Sequence, residues 1–350
     1  MKICVFDAKT YDKQYFDEEN KNYRYKIKYH EAKLSADTAM LAKGYDIVCP
    51  FVNDDINAEV IETLHQLGVK AIAMRCAGYN NVDVRAAFNK LPILRVPRYS
   101  PYAVAEHAMA LLLTLNRRIH RAYIRTRDSN FALTGLLGFD LHGKTAGVIG
   151  TGQIGRVFID ICKGFGMNVL AYDPFPAKNS NFEYVQIDEI FKESDILSLH
   201  CPLTPQTHHI VNEERLQMMK PSAIIVNTSR GALINSADLI EALKANTIAG
   251  AALDVYEEES DVFFEDFSDK VIQDDRLSRL LSFNNVIITS HQAFFTREAL
   301  QKIAQVTFEN FRQVKDGEYL QNEVCYRCGT DSNVCHKRDG KNCFDSKTAV

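Results

Sequence analysis

The chain has 350 residues, 46% of them hydrophobic and 25% charged, which is typical of a globular protein with one large or two ordinary domains. Its formal net charge of −4 does not favour a nucleic-acid partner, and its most apolar stretch is too short and too polar to span a bilayer. The N-terminal segment lacks the apolar core of a signal peptide, so we expect a cytoplasmic protein with no membrane partner.

The first hundred residues alternate short apolar runs with segments of helical spacing. Four runs are predicted to be strands because they are short, β-branched and bounded by polar or turn residues: KICVFDA, YDIVCPF, VKAIAMR and LPILRVP. Between them, NAEVIETLHQLG has helical spacing and ends on Gly68. This alternation predicts a parallel sheet.

From about Tyr102 the pattern changes to one long predicted helix, AVAEHAMALLLTLNRRIHRAYIRTR. Its apolar side is either an oligomer interface or ordinary core packing. A second βα series follows, with the predicted strands TAGVIG, MNVLAYD, DILSLH, SAIIVNT, AGAALDV and NVIIT. Six strands with helices between them predict a doubly wound dinucleotide-binding domain. The helical run REALQKIAQVTFENFRQVKDG comes last and could return to the first domain.

A glycine-rich turn stands between the first strand and the first helix of this second series. GVIGTGQIGR places Gly150, Gly152 and Gly155 in G-x-G-x-x-G spacing, where they permit a tight turn, close approach of a pyrophosphate and close helix packing. Asp173 ends the next predicted strand, 18 residues after Gly155. Its carboxylate can accept both ribose hydroxyls and would repel a 2′-phosphate, which predicts NAD rather than NADP.

Three further segments place chemically useful side chains after predicted strands. Arg230 in NTSRGALI can hold a substrate carboxylate through two parallel hydrogen bonds. His291 in TSHQAF is a candidate proton donor. Asp254 is followed by the triplet Glu257–Glu259, and one of these carboxylates beside His291 would favour the protonated imidazole. The residues alone do not choose among the three glutamates.

Together with HCPLTPQT, these motifs resemble the D-2-hydroxyacid dehydrogenases, most closely the NAD-dependent D-lactate dehydrogenases, over roughly residues 1–323. RCAGYNNVD, VPRYSPYAVAEHA and FFEDFSDKVIQDDRL fit the lactate branch in particular. The resemblance implies an α/β protein of two doubly wound Rossmann-like domains, with parallel sheets and an active-site cleft between them. We expect a substrate-binding domain at 1–101 and 298–324, an NAD-binding domain at 102–297 and a cysteine-bearing tail at 325–350.

The resemblance also implies roles for individual residues. The catalytic residues would be Arg230, Glu259 (five residues after Asp254) and His291. The implied cofactor contacts are Gly150, Gly152, Gln153, Ile154, Gly155, Asp173, Cys201, Pro202, Thr207, Thr228, Ser229 and Asp254. The implied substrate contacts are Phe51, Ala77, Gly78, Tyr79, Tyr99, Arg230, His291 and Phe294. Cys201 stands where valine also occurs in the family, a change that a backbone contact tolerates.

The predicted function is the reversible, fermentative reduction of pyruvate to D-lactate with NADH, with His291 as proton donor, in a homodimer or homotetramer. One alternative is the same reaction on another 2-ketoacid, such as phenylpyruvate or hydroxypyruvate. Another is a non-catalytic NAD-sensing module, since such proteins can keep the same three catalytic residues.

The nine cysteines form two groups. Cys4, Cys49, Cys76, Cys162 and Cys201 lie in apolar surroundings and are expected to be reduced and mostly buried. The tail carries Cys325, Cys328, Cys335, His336 and Cys343, which could supply zinc ligands. Their spacing matches no common zinc finger, so we expect a polar tail and no bound metal.

Overall fold

The computed structural model describes residues 1–259 and 262–324, and the cysteine-bearing tail lies outside these residues. The chain divides into two compact units. The first comprises residues 1–100 together with the described residues from Thr296 onward, and the second comprises Pro101–Phe295. Elements are numbered below in chain order.

The first unit contains a five-stranded sheet in the order β2-β1-β3-β4-β5, with every neighbouring pair parallel. Its strands are β1 Lys2–Val5, β2 Lys26–Tyr29, β3 Ile47–Cys49, β4 Ala71–Ala73 and β5 Ile93–Leu94. Its α-helices are α1 Thr10–Asn20, α2 Ala58–Gln66, α3 Val84–Ala87 and α11 Arg297–Asp316. This strand order is that of flavodoxin-like sheets, with the switch point between β1 and β3.

The last helix, α11, belongs to the first unit. It packs against α1 and β4, and Phe308 and Phe311 are fully buried in the same core as Phe16. Asn310 of this helix is also buried and donates to the carbonyl of Arg95 at 3.0 Å. The run from Arg297 therefore completes the sheet unit that the first hundred residues begin.

The second unit contains a seven-stranded sheet in the order β12-β11-β10-β9-β6-β7-β8, again with parallel neighbours. Its strands are β6 Thr145–Ile149, β7 Asn168–Tyr172, β8 Glu183–Tyr184, β9 Ile196–Leu199, β10 Ile224–Asn227, β11 Gly250–Leu253 and β12 Val286–Ile288. Its α-helices are α4 Pro101–Asn116, α5 Ile119–Arg127, α6 Gln153–Gly164, α7 Ile187–Glu193, α8 Glu213–Met218, α9 Ser236–Lys244 and α10 Asp275–Ser282. The six predicted strands are all present, and the strand order reverses between β6 and β9, which marks the ligand crevice of a doubly wound sheet.

The long helix predicted from Ala103 is wrong as a single element. It ends at Asn116, and a second helix begins at Ile119. Asn116 exchanges hydrogen bonds with the backbone of Phe139, at 2.8 and 3.0 Å. Arg118 takes a left-handed backbone with φ of 52° and donates to the carbonyl of Asn284 at 3.0 Å. These contacts come from residues distant in the chain, so helical periodicity does not show them.

The predicted α/β class with two parallel sheets is confirmed. The five cysteines before the tail are reduced thiols, four of them buried and Cys76 half-buried, as expected. None of the helices in the described ranges has both the length and the apolarity needed to cross a bilayer.

Candidate active site

The predicted cofactor residues lie at the carboxyl ends of the second unit's strands, where a doubly wound sheet binds its ligand. Gly150 follows β6 with φ of 96°, a conformation that favours glycine. A Cβ at Gly150 would lie 2.6 Å from the backbone nitrogen of Cys201, and one at Gly155 would lie 2.0 Å from the Gly150 carbonyl oxygen. The turn is therefore packed tightly against the end of β9 and against α6.

The start of α6 has the features that a pyrophosphate requires. Gly152 is its N-cap and supplies no side-chain hydrogen bond to the first turn, so those amides remain available to an anion. A Cβ at Gly152 would meet no atom within 4 Å. Thr228 Oγ1, after β10, is a buried hydroxyl oxygen with no hydrogen-bond partner among the described residues. An open cradle and an unsatisfied hydroxyl fit a bound dinucleotide.

Asp173 stands directly after β7 and is partly exposed. Its Oδ2 accepts the backbone N–H of Thr151 at 2.8 Å and the Thr151 hydroxyl at 3.1 Å, and its Oδ1 accepts the N–H of Phe175 at 2.9 Å. The Thr151 hydroxyl also lies 2.8 Å from that of Tyr184. The carboxylate is thus fixed beside the glycine turn.

The loop after β9 carries three predicted cofactor contacts: Cys201, Pro202 and Thr207. Thr207 Oγ1 donates to the carbonyl of Pro202 at 2.6 Å and closes this loop on itself. Burial raises the pKa of the Cys201 thiol to about 12, so it stays protonated. His200 is half-buried, and desolvation lowers its pKa to about 3, so its ring is neutral; it packs against Phe158 and lies 2.9 Å from the Ser198 hydroxyl.

The loop after β10 presents Arg230. Asn227, fully buried at the strand end, donates to the Arg230 carbonyl at 2.8 Å and accepts the N–H of Ser229 at 3.0 Å. Ser229 Oγ donates to the carbonyl of Leu199 at 2.9 Å. Within residues 1–259 and 262–324, no carboxylate pairs with the Arg230 guanidinium, which donates to the Ser229 carbonyl at 2.6 Å. Charge on this arginine is therefore available to an anionic ligand.

His291 and Glu259 are brought into contact. His291 Nδ1 lies 2.7 Å from Glu259 Oε1, with both side chains about five-sixths buried (17% and 16% exposed). Glu259 Oε2 accepts the N–H of Tyr256 at 3.0 Å, and the ring of Phe264 lies 5.8 Å from the imidazole. Because Nδ1 faces the carboxylate, Nε2 is the nitrogen left for exchange with a ligand.

The three consecutive glutamates have three different partners. Glu257 binds His209, with its Oε1 at 2.5 Å from Nε2. Glu258 binds Arg276 at 3.0 Å. Glu259 alone binds His291. The residues alone left all three glutamates open as partners of His291, and the family resemblance pointed to Glu259. The structure places Glu259 beside His291.

Asp254 holds the histidine loop from inside the protein. It is fully buried; its Oδ1 accepts the Thr289 hydroxyl at 2.5 Å and the N–H of Gln292 at 2.9 Å, and its Oδ2 accepts the N–H of Ala293 at 2.8 Å. His107 of α4 lies 3.2 Å from the carboxylate. Burial would raise the pKa of Asp254, but the hydrogen bonds from His107 and Thr289 lower it overall, so the group is ionised.

The remaining predicted substrate contacts follow strands of the first unit, apart from Phe294, which is half-buried near His291 in sequence. Phe51 is buried after β3, and the guanidinium of Arg75 lies 4.6 Å from its ring centroid. The loop after β4 holds Ala77, Gly78 and Tyr79: Arg95 donates to the Ala77 carbonyl at 2.9 Å and lies 5.0 Å from the Tyr79 ring. Tyr99, after β5, is half-buried.

The sequence patterns did not predict three residues that hold these groups in place: Arg75, His107 and Asn227. Arg75 is almost fully buried and donates to the carbonyls of Phe6 and Asp7 at 2.9 and 2.6 Å. His107 lies within a predicted helix and Asn227 ends a predicted strand, and neither position indicates its partner in the fold. Arg75 did carry a signal, since a charged side chain directly after a buried strand needs partners.

Known proteins resemble this chain in sequence and in structure. The model of the family "D-isomer specific 2-hydroxyacid dehydrogenase, NAD binding domain" matches residues 109–293. The D-lactate dehydrogenase of Escherichia coli is 52% identical over 328 residues, which cover 93% of this chain and 100% of the relative. The apo structure of D-lactate dehydrogenase from Escherichia coli superposes with a TM-score of 0.84 at 48% identity, over 93% of this chain and 100% of the other. The pyruvate reductase of Chlamydomonas reinhardtii gives 0.85 at 40% identity, over 90% and 97%.

Proposed function

Since the chain belongs to the D-isomer specific 2-hydroxyacid dehydrogenases, which are NAD-dependent oxidoreductases, we propose that it interconverts pyruvate and D-lactate. The chemistry of the family leaves the 2-ketoacid open. Two relatives support the small substrate: the Escherichia coli enzyme is a D-lactate dehydrogenase and the Chlamydomonas reinhardtii protein is a pyruvate reductase.

The observation that carries this proposal is the contact between His291 Nδ1 and Glu259 Oε1 at 2.7 Å. Glu259 orients the imidazole through this contact, and Nε2 donates a proton to the carbonyl oxygen of the ketoacid. In the reverse direction Nε2 accepts the proton of the hydroxyl group. Glu259 is a positioning residue, and His291 is the general acid and base.

Arg230 binds the substrate carboxylate. Its guanidinium has no carboxylate partner in the part of the chain that the structure describes, and a planar fork of donors suits bidentate carboxylate binding. Backbone amides around Ala77–Tyr79 are the second set of carboxylate ligands in this proposal. Phe51, Tyr99 and Phe294 enclose the methyl group.

The dinucleotide is held by the second unit, to which the NAD-binding family model corresponds. The amides at the start of α6 bind its pyrophosphate, and Asp173 binds the adenosine ribose and discriminates against a 2′-phosphate. The contacts expected from Gln153, Ile154, the loop at 201–207 and Thr228–Ser229 complete this binding surface. When bound, the nicotinamide supplies or removes the hydride. We assign the first unit to substrate binding.

The test is a paired measurement of turnover. His291→Ala is expected to lower kcat for pyruvate reduction by ~10²–10⁴-fold, which is the usual contribution of general acid catalysis. Glu259→Gln is expected to lower kcat/KM by about 10–100-fold through loss of one charged hydrogen bond. His65→Ala, an exposed histidine on α2, is the matched control and keeps full activity. Turnover of His291→Ala within a few-fold of the unsubstituted protein refutes the proton-transfer role.

A panel of 2-ketoacids decides the substrate. NADH oxidation with pyruvate, hydroxypyruvate, phenylpyruvate and a branched 2-ketoacid is expected to give the highest kcat/KM for pyruvate, and the product is expected to be the D-enantiomer. A higher kcat/KM for a bulky ketoacid contradicts pyruvate as the preferred substrate. NADPH in place of NADH is expected to raise KM strongly because of Asp173.

We also propose that a second copy of the chain covers α5 and the segment after it. Ile124, Phe131, Leu133 and Leu137 are 59–92% exposed, and Arg125 ties the two segments together by donating to the Thr134 carbonyl at 2.8 Å. Exposed apolar side chains grouped on two adjoining segments favour an association surface. Helix α5 is the C-terminal part of the long helix that was predicted as the interface element. Cytoplasmic location stays a prediction.

A further inference from the structure

Three side chains of the second unit that take no part in the proposed reaction converge on one point. One ligand atom each from His208, His209 and Glu257 lies within 4.8 Å of the other two. We propose that these residues bind a divalent transition-metal ion of the Zn²⁺ class. Imidazole nitrogen and carboxylate oxygen are ordinary ligands of such ions, with water in the fourth position of an open tetrahedral site.

The backbone directs both histidines to the same side. His208 and His209 lie in a turn, and the centroids of their rings are 3.8 Å apart. His209 achieves this with φ of 50°, a left-handed conformation uncommon for a residue other than glycine. Its N–H donates to the carbonyl of Ala232 at 2.9 Å. An uncommon backbone conformation at a residue whose imidazole lies against another is typical of functional sites.

The carboxylate of Glu257 is already held close to one of the two imidazoles. Glu257 Oε2 accepts the N–H of Ser236 at 3.2 Å, and Oε1 faces His209 Nε2 at 2.5 Å. An ion bound by both of these atoms would replace the hydrogen bond between them. Metal binding needs a deprotonated carboxylate and neutral imidazoles. His208 is exposed, which gives an ion a direct path from solvent.

A bound ion would join loops that flank the proposed catalytic groups. Glu257 is two residues from Glu259, and Gly231 follows Arg230. A Cβ at Gly231 would lie 2.0 Å from the carbonyl carbon of Tyr256, so these two loops touch through their backbones. The loop at His208–His209 is the third partner. Occupancy therefore stabilises the folded second unit, whether or not the proposed reaction is correct.

The experiment is a Zn²⁺ titration of the metal-stripped, full-length protein. Cys325, Cys328, Cys335 and Cys343 are replaced by Ser in every sample, so that no tail thiolate can contribute to the signal. Calorimetry is expected to show about one ion per chain, and saturating Zn²⁺ is expected to raise Tm by about 5 °C. The apparent affinity is expected to fall as the pH drops below about 6.5, where imidazoles become protonated.

Two substitutions and one control decide the outcome. His208→Ala removes an exposed ligand, and Glu257→Gln keeps the shape of the acceptor while removing its charge. Both are expected to abolish the calorimetric signal and the rise in Tm, whereas His65→Ala keeps both. Unchanged stoichiometry in His208→Ala and Glu257→Gln overturns the proposal, as does the absence of binding in the tail-substituted protein at millimolar Zn²⁺. Activity measurements on the same samples test the proposed reaction separately.

Discussion

His291 keeps a backbone conformation that side-chain-bearing residues rarely adopt, with φ of 51°. The cost of such a conformation is about 1–2 kcal/mol. It is offset locally, because the His291 N–H donates to the carbonyl of Asp254 at 2.7 Å and the Asp254 carboxylate binds two further amides of the same loop. The imidazole is thus oriented by Glu259 from one side and by its own backbone from the other. The orientation that the proposed proton transfer requires is therefore set by residues of the protein itself.

Asp54 gives a pH prediction at the residue scale. Its oxygens accept the N–H groups of Leu34 and Phe51, each at 2.5 Å, and burial raises its pKa from 3.8 to about 6. Because the folded pKa lies above the unfolded value, the stability due to the bound proton is complete below about pH 4 and is lost as the pH rises through 6. Asp54→Asn should flatten this dependence.

The measurement is the urea midpoint between pH 4 and pH 7. The unsubstituted protein should lose up to about 3 kcal/mol from this group over that range, and Asp54→Asn should not show that loss. Asp55→Asn, its exposed neighbour, should behave as the unsubstituted protein. Equal slopes for Asp54→Asn and Asp55→Asn would refute the assignment.

At the scale of elements, the turn between β6 and α6 contains one glycine that the fold requires and another that faces open space at the cofactor site. Gly150 combines φ of 96° with contact to the backbone after β9, whereas Gly152 faces open space. Gly150→Ala should therefore destabilise the protein by about 2 kcal/mol or more. Gly152→Ala should change its stability by less than about 1 kcal/mol but should weaken NAD binding, because the new methyl group occupies the pyrophosphate cradle.

Urea unfolding without cofactor and the NAD-dependent rise in Tm distinguish the two variants. Gly150→Ala should shift the first measurement, and Gly152→Ala should lose most of the second. If Gly152→Ala keeps the full rise in Tm with NAD, the phosphates do not lie at the start of α6.

Sequence periodicity did not predict two features of these elements. β2 was not predicted, because this edge strand reads KIKY and its residues alternate between exposed and half-buried, so it lacks the apolar run of a buried strand. The break between α4 and α5 was missed because each half has acceptable helical spacing. Contacts of Asn116 with Phe139 and of Arg118 with Asn284 determine that break, and both are long-range.

At the scale of the whole molecule, the exposed apolar patch on α5 and the following segment predicts self-association. Leu133→Glu and Ile124→Glu each place a charge in the patch and should shift the protein toward a single 39.6 kDa chain. Val271→Glu changes an equally exposed apolar residue outside the patch and should leave the assembly intact. Analytical ultracentrifugation measures the mass; unchanged assembly in both patch variants would place the interface elsewhere.

The sequence by itself determined the α/β class, the six main strands of the second unit, the glycine cradle and the cofactor, because these depend on local patterns: β-branched runs, turn residues and fixed motif spacing. Family resemblance added Arg230, Glu259 and His291 as candidates. Only the tertiary structure decided how three adjacent glutamates divide among His209, Arg276 and His291. It alone brought His107 to Asp254 and His208 to Glu257, since contacts between residues far apart in the chain arise from packing and leave no periodic trace in the sequence.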